Sequence, residues 1–204
     1  MVRGLDVFQS WFESYADQYV LIGGTAASLA MEESGLAFRA TKDLDIVLHV
    51  EALTPAFGEA FWKFIEAGVY EIRQASDTSK QIFYRFQKPA DHHYPAMIEL
   101  FARAPDGLLP AEGSQLTPIP LDEAVSSLSA ILLNDAYYAF IIEGRREVAG
   151  LPWVGEDRLI PLKAVAWLEL SERKEQGAKV DAKDVRKHLN RSEEHTSELQ
   201  SQNA

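Results

Sequence analysis

Two aspartates that alternate with apolar residues constrain this sequence more than any other feature. Asp43 and Asp45 alternate with Leu44, Ile46 and Leu48 in the run DLDIVL. Because successive residues of a strand point to opposite faces, the two carboxylates share one face and the aliphatic side chains enter a core on the other. Two neighbouring carboxylates repel each other unless a cation lies between them. We expect that cation to be magnesium, which takes oxygen ligands.

A glycine turn lies upstream of this pair. Gly23, Gly24 and Thr25 follow the apolar run YVLI. A helix that starts just after Gly24 would point free backbone N–H groups at an anion, and glycine lets a phosphate approach the backbone closely. The alternative is a tight turn with Thr25 as the helix N-cap, which is compatible with phosphate binding. The turn and the aspartate pair together predict a nucleoside triphosphate held by magnesium.

A third carboxylate stands in another predicted core strand. Glu99 lies between apolar neighbours in MIELFAR, residues 97–103. An isolated carboxylate in a central strand is costly unless it is paired or coordinated. We therefore expect a metal ligand or a general base. The alternative is an edge-strand residue that faces water.

The order of these motifs resembles a known signature. A GG[ST] turn followed by D-h-D-h, where h is hydrophobic, is similar to the DNA polymerase beta-like nucleotidyltransferase superfamily. The longer pattern, GGTAASL and then FRATKDLDIVL, resembles the AbiEii/AbiGii toxin family within it, whose recurring core is R-x-T-x-D-h-D-h. Arg39, Thr41, Asp43 and Asp45 fall on that core. The resemblance extends to about residue 190, and its sharpest motifs lie in the first hundred residues.

The resemblance also implies roles for residues outside that core. The superfamily carries a third carboxylate on a strand beside the aspartate pair, which Glu99 matches, and the three would hold two magnesium ions about 4 Å apart. The related toxins place a lysine on a late helix to meet the triphosphate, which Lys163 matches, and a late acidic residue, which Asp184 matches. The alternatives are a lysine stem that covers the core and a carboxylate that stabilises a helix start. Arg39 and Lys42, in the loop before the aspartate pair, would lie near the triphosphate.

The apolar periodicity predicts an α/β (α+β) protein with a mixed sheet flanked by helices, and the resemblance implies the nucleotidyltransferase fold. Residues 1–120 are expected to form the catalytic core, and residues 121–190 a mainly helical region that completes the nucleotide cleft. Residues 191–204 resemble the translation of a sequencing-library adapter, so we expect a non-native tail and a missing natural C-terminus. The expected helices are 5–17, 25–35, 55–68, 135–143, 159–174 and 182–189, and the expected strands are 19–22, 43–50, 70–73, 81–87 and 97–103, with a hairpin-like segment at 148–154.

Composition limits the function classes. The chain has 204 residues, a net charge of −11 and no cysteine. The acidic balance argues against a dedicated nucleic-acid binder with a broad basic face. The absence of cysteine excludes disulfides and thiolate metal sites, which fits a cytoplasmic protein. No apolar run approaches the roughly 20 residues of a membrane span, so we expect no membrane partner.

One function and two alternatives follow. We expect a metal-dependent nucleotidyltransferase that moves a nucleoside monophosphate from an NTP to an acceptor hydroxyl. The resemblance implies the 3′ end of tRNA as acceptor, and a toxin with a cognate antitoxin in a toxin–antitoxin or abortive-infection system. The alternatives are a transferase acting on a protein or small molecule, and a nucleotide-binding interaction protein without turnover. A basic strip beside the cleft would distinguish an RNA acceptor from a protein or a small molecule, and its candidates are Arg39, Lys42, Arg85 and Arg103.

Overall fold

A computed structural model describes residues 2–36, 41–72, 83–101 and 135–177. These ranges form one seven-stranded mixed sheet packed against helices, the expected α/β class. The helices are α1 Leu5–Phe12, α2 Gly23–Glu33, α3 Pro55–Gly68, α4 Asp135–Glu143 and α5 Glu156–Glu175, with 3₁₀ turns at Glu13–Gln18 and Val50–Ala52. The strands are β1 Tyr19–Ile22, β2 Asp43–Leu48, β3 Glu71–Ile72, β4 Phe83–Gln87, β5 Met97–Phe101, β6 Arg145–Val148 and β7 Leu151–Val154.

The strand order brings the ends of four strands to one edge of the sheet. The order is β3-β4-β5-β2-β1-β7-β6. Strand β1 is antiparallel to β2 and parallel to β7, and β2 is parallel to β5. The last residues of β1 and β7 therefore lie at the same edge as the first residues of β2 and β5. We call this edge the Gly23 edge, because α2 begins there directly after β1.

Aromatic side chains fill the core between the sheet and helices α1 and α3. Phe12 of α1 packs on Phe57 of α3, with ring centroids 5.5 Å apart. Phe61 of α3 packs on Phe86 of β4 at the same separation. All four rings are fully buried, and each contributes about 1.5–3 kcal/mol of hydrophobic free energy. Helix α3 begins where Thr54 Oγ1 accepts a hydrogen bond from the Phe57 N–H at 3.3 Å.

Helices α2 and α5 pack against the sheet on the side that carries Asp45. The two helices contact each other; α2 also contacts β1, β2 and β7, and α5 contacts β7. Helix α2 presents small buried side chains, Ala26, Ala27 and Ala30. Because these side chains are short, the helix backbone approaches the strands closely. That close approach brings the start of α2 to the aspartates of β2.

Several elements differ from their predicted form. The helix predicted over 5–17 ends at Phe12 and continues as a 3₁₀ turn, because Tyr15 leaves helical geometry with φ −127°. Helix α2 begins at Gly23 itself, and α5 begins at Glu156, ahead of the predicted residue 159. The segment predicted as a hairpin at 148–154 forms β6 and β7, with β6 beginning earlier, at Arg145. The predicted helix 182–189 and the tail 191–204 lie outside the described residues.

The sheet is built from both of the regions that the sequence suggested. Strand β7 pairs in parallel with β1, with Leu21 opposite Trp153. Strand β6 then pairs with β7 in an antiparallel hairpin. Residues from the predicted C-terminal region, 121–190, thus extend the sheet formed by residues from the predicted core, 1–120.

Candidate active site at the Gly23 edge

The start of α2 lies directly against an aspartate of β2. Gly23 has φ +65°, a left-handed conformation that favours glycine. A Cβ atom at this position would lie 1.8 Å from Asp45 Oδ2. The N-cap residue, Ile22, has no polar side chain to occupy the N–H groups of the first helical turn. The geometry therefore joins a helix start suited to an anion with a carboxylate suited to a cation.

The aspartates of β2 occupy the face that the alternation predicted. Asp43 and Asp45 are half-buried, whereas Leu44 and Ile46 between and after them are fully buried. Asp45 lies opposite Ile22 of β1 and, on its other side, opposite Glu99 of β5. The expectation that three carboxylates come from two adjacent strands therefore agrees with the strand register.

Thr25 holds the aspartate strand through its hydroxyl group. Its Oγ1 donates a hydrogen bond to the backbone carbonyl of Asp43 at 2.9 Å, and the side chain is fully buried. The interpretation of Thr25 as the N-cap is wrong, because the helix already begins at Gly23 and its N-cap is Ile22. The hydroxyl proton is engaged with Asp43, so the side chain fixes the position of β2 relative to α2.

Glu99 forms an ion pair with Arg85 of β4. Arg85 Nε donates to Glu99 Oε1 at 2.7 Å, and Nη2 contacts the same oxygen. The two residues are register partners on β4 and β5, and cross-strand pairs of opposite charge stabilise a sheet. The interpretation of Glu99 as an edge-strand residue facing water is wrong, since β5 lies between β2 and β4.

This pair was missed by sequence reasoning, which assigned Arg85 to a basic strip. The alternation in β4 places Arg85 and Gln87 on one face, but the alternation does not give the register of β4 against β5. Only the pairing of Arg85 with Glu99 across the strands reveals the contact. The available signal was a single charged residue near the middle of each of two apolar strands, with opposite charges on the two.

The residues fit a magnesium ion in part. Within the described ranges, no three His, Asp or Glu side chains come together as a set that could hold a metal ion. Asp43 and Asp45 nevertheless share a face beside a helix start, and magnesium in nucleotide sites commonly takes one or two carboxylates together with substrate phosphates. The aspartate pair therefore suits magnesium bound with a nucleotide, and Glu99 is engaged with Arg85 instead.

The basic candidates differ in position. Lys163 lies on α5 and is only 2% exposed, among the buried residues Leu159, Leu162 and Ala166. Its ammonium group therefore does not reach bulk solvent, and the interpretation of a lysine stem with a solvated head is wrong. Lys42 is exposed and directly precedes Asp43. The basic candidates Arg39 and Arg103 and the acidic candidate Asp184 lie outside the described residues.

Helix α5 links Lys163 to the same edge. The helix follows β7, which ends at the Gly23 edge, and it contacts α2. Lys163 stands seven positions after the first residue of α5, about 10 Å along the helix axis. The structure thus brings the helix that carries Lys163 against the helix that begins at Gly23.

Neither a protein-family model nor a curated protein matches the chain. Among the helices of the described ranges, none combines the length and apolar character needed to cross a membrane. The geometry of the Gly23 edge and the sequence motifs that form it are the features that bear on function.

Proposed function

We propose that this chain is a magnesium-dependent nucleotidyltransferase with the nucleotidyltransferase fold, which transfers a nucleoside monophosphate from an NTP to an acceptor hydroxyl. The contact between Gly23 and the Asp45 carboxylate carries this proposal. It places backbone N–H groups suited to phosphate beside a carboxylate suited to magnesium, as a metal-bound triphosphate requires. The motif order, which resembles the AbiEii/AbiGii toxin family, supports the same activity.

The residues of the edge divide the work of nucleotide binding. The N–H groups in the first turn of α2, at Gly23 and Gly24, donate hydrogen bonds to phosphate oxygens. Asp43 and Asp45 would hold magnesium, which neutralises charge on the triphosphate and on the departing pyrophosphate. Lys163 supplies a further positive charge from α5. The resemblance assigns Arg39 and Lys42, which precede β2 in the sequence, to the triphosphate, and it assigns Asp184 to the late acidic position.

The transfer itself is a displacement at the α-phosphorus. The acceptor oxygen forms a bond to that phosphorus, and the bond from phosphorus to the bridging oxygen of the β-phosphate breaks. Pyrophosphate leaves with the bonding electrons. Glu99, beside Asp45 across the β2–β5 pair, accepts the proton of the acceptor hydroxyl, directly or through water.

The acceptor and the biological role are proposed from the resemblance. The acceptor is the 3′ end of tRNA, whose modification stops translation. The chain then acts as the toxin of a toxin–antitoxin or abortive-infection system and is neutralised by a cognate antitoxin. A local basic region is sufficient for this role despite the net charge of −11, because only the end of the RNA must be held.

Labelled nucleotides test the proposal directly. The protein is incubated with each labelled NTP, magnesium and total bacterial tRNA, with Asp45→Asn as the inactive variant and Asp91→Asn, in an exposed turn, as the matched control. We expect label on RNA with wild type and Asp91→Asn, and none with Asp45→Asn. Label on protein or a small molecule would reassign the acceptor. Equal transfer by Asp45→Asn would overturn the proposal.

A second candidate is a nucleotide-binding interaction protein without turnover. The ion pair between Arg85 and Glu99 favours it, because the carboxylate proposed as a base is engaged in a contact within the sheet. This candidate predicts saturable binding of an NTP with magnesium, which Asp45→Asn weakens, and no transfer of label to any acceptor in the same preparation.

A further inference from the structure

A row of paired residues crosses four strands at the Gly23 edge. Ile22 of β1 lies opposite Asp45 of β2, Asp45 lies opposite Glu99 of β5, and Glu99 lies opposite Arg85 of β4. Neighbouring strands are about 4.8 Å apart, so Asp45 and Arg85 stand roughly 10 Å apart, on either side of Glu99. Each carboxylate of the row thus has a different neighbour: α2 begins against Asp45, and a guanidinium group contacts Glu99.

The ion pair with Arg85 balances the charge of Glu99 within the protein. Two guanidinium nitrogens contact the same carboxylate oxygen, Oε1. The Glu99 side chain is 16% exposed and that of Arg85 is 32% exposed, so water screens this pair less than an ion pair on the open surface. A carboxylate held in this way has one oxygen engaged and its charge balanced, and it is a weaker ligand for a second cation.

We infer that Arg85 is a positioning residue that keeps Glu99 out of the metal site, so that this chain holds one divalent cation through Asp43 and Asp45 and not two through three carboxylates. The inference rests on the proposed magnesium site and changes its composition. The lack of a three-residue ligand set in the described ranges agrees with it. Glu99 Oε2 takes part in neither contact with Arg85, and it is the oxygen that would accept the proton of the acceptor hydroxyl.

Removal of Arg85 would then improve metal binding through Glu99. In Arg85→Met, which keeps most of the length of the side chain, the Glu99 carboxylate becomes available to a cation. We expect Mn²⁺ to bind about tenfold more tightly, or at a second site, since a negative charge within about 4 Å of a divalent cation attracts it by at least the free energy that a tenfold change represents. Arg85→Lys keeps the charge and should bind Mn²⁺ like wild type. In Arg85→Met combined with Glu99→Gln, the gain should disappear.

The experiment is a titration of the protein with Mn²⁺, followed by the electron paramagnetic resonance signal of the free ion. The variants are Arg85→Met, Arg85→Lys, Glu99→Gln, the double variant and Asp45→Asn. Lys88→Met, which removes an exposed cation paired with Glu71 just after β4, is the control for loss of positive charge alone. Circular dichroism checks that each variant is folded.

The outcomes separate this inference from the proposed function. One Mn²⁺ site in wild type that is lost in Asp45→Asn and unchanged within about twofold in Glu99→Gln supports both. A loss in Glu99→Gln as large as in Asp45→Asn overturns the inference and leaves the proposed function standing. A gain in Arg85→Met that persists in the double variant, or that Lys88→Met reproduces, also overturns the inference. An unchanged site in Asp45→Asn, or no Mn²⁺ binding by wild type either alone or with a non-hydrolysable NTP, overturns the proposed function and the inference with it.

Discussion

The α-carbon of Gly23 and the carboxylate of Asp45 are packed so closely that a Cβ atom at residue 23 would stand 1.8 Å from Oδ2. The start of α2 and the middle of β2 therefore constrain each other. A side chain at residue 23 would have to move either the helix or the carboxylate, and both belong to the candidate site. Glycine is required here for two independent reasons, the contact and the left-handed backbone.

Gly23→Ala should abolish nucleotide transfer. The variant combines a left-handed backbone, which costs a non-glycine residue about 1–2 kcal/mol, with displacement of Asp45. Gly35→Ala is the matched control, because Gly35 has φ +72° and nothing within 4 Å of the added Cβ. We expect both variants to lose about 1 kcal/mol or more in the free energy of unfolding, measured with urea. Only Gly23→Ala should lose label transfer and Mn²⁺ binding, and near-normal transfer by it would contradict the site.

Thr25→Val should weaken the site through the position of β2. The substitution removes the part-buried hydrogen bond to the Asp43 carbonyl, at a cost of about 0.5–1.5 kcal/mol. Thr25→Ser keeps the hydroxyl and should recover most of the stability and activity. If the Thr25 hydroxyl instead contacts a phosphate, Thr25→Val will raise the KM for the NTP and leave the unfolding free energy unchanged. Denaturation and steady-state kinetics on the same samples distinguish the two.

Lys163→Met should reduce nucleotide affinity. Methionine preserves the length of the buried side chain and removes its charge, and loss of a positive charge near the phosphates should weaken binding by about tenfold or more. Lys174→Met, in the exposed last turn of the same helix, is the control and should bind normally. Isothermal titration with a non-hydrolysable NTP and magnesium measures the effect. Equal affinities for wild type and Lys163→Met would remove Lys163 from the site.

Stability should fall in alkaline solution through two buried tyrosines. Burial raises the pKa of the Tyr70 hydroxyl, which donates to the Pro95 carbonyl at 2.8 Å, above its usual value near 10, and it raises the pKa of Tyr19 likewise. The folded state therefore binds these protons more tightly than the unfolded state. Their contribution is complete below about pH 10 and is lost as the pH rises above that value.

Tyr70→Phe tests this pH dependence. The variant should be less stable at neutral pH by about 1 kcal/mol, since it loses the hydrogen bond to Pro95. Above about pH 10 its unfolding free energy should fall less steeply than that of wild type, because a group whose pKa is raised in the folded state is gone. Urea denaturation at several pH values gives both slopes, and equal slopes would contradict the assignment to Tyr70.

Local patterns predicted the elements at the site but not the contacts between them. The apolar run before Gly23 and the alternation around Asp43 gave β1 and the faces of β2, because these signals depend only on neighbouring residues. The partner of Glu99 and the pairing of β7 with β1 depend on strand register between distant segments, which periodicity does not specify. The sequence therefore indicated Arg85 only as a basic residue, and it did not predict the contact with Glu99.

The parallel pairing of β7 with β1 affects when the newly synthesised chain can form a stable sheet. Leu21 emerges from the ribosome long before its register partner Trp153. Until Leu151–Val154 has been synthesised, β1 is an edge strand whose outer N–H and C=O groups have no neighbouring strand, and such edges promote aggregation. Pairing between distant segments is also slow. A messenger RNA broken upstream of the codon for Leu151 would therefore yield an aggregation-prone fragment in place of a smaller working domain.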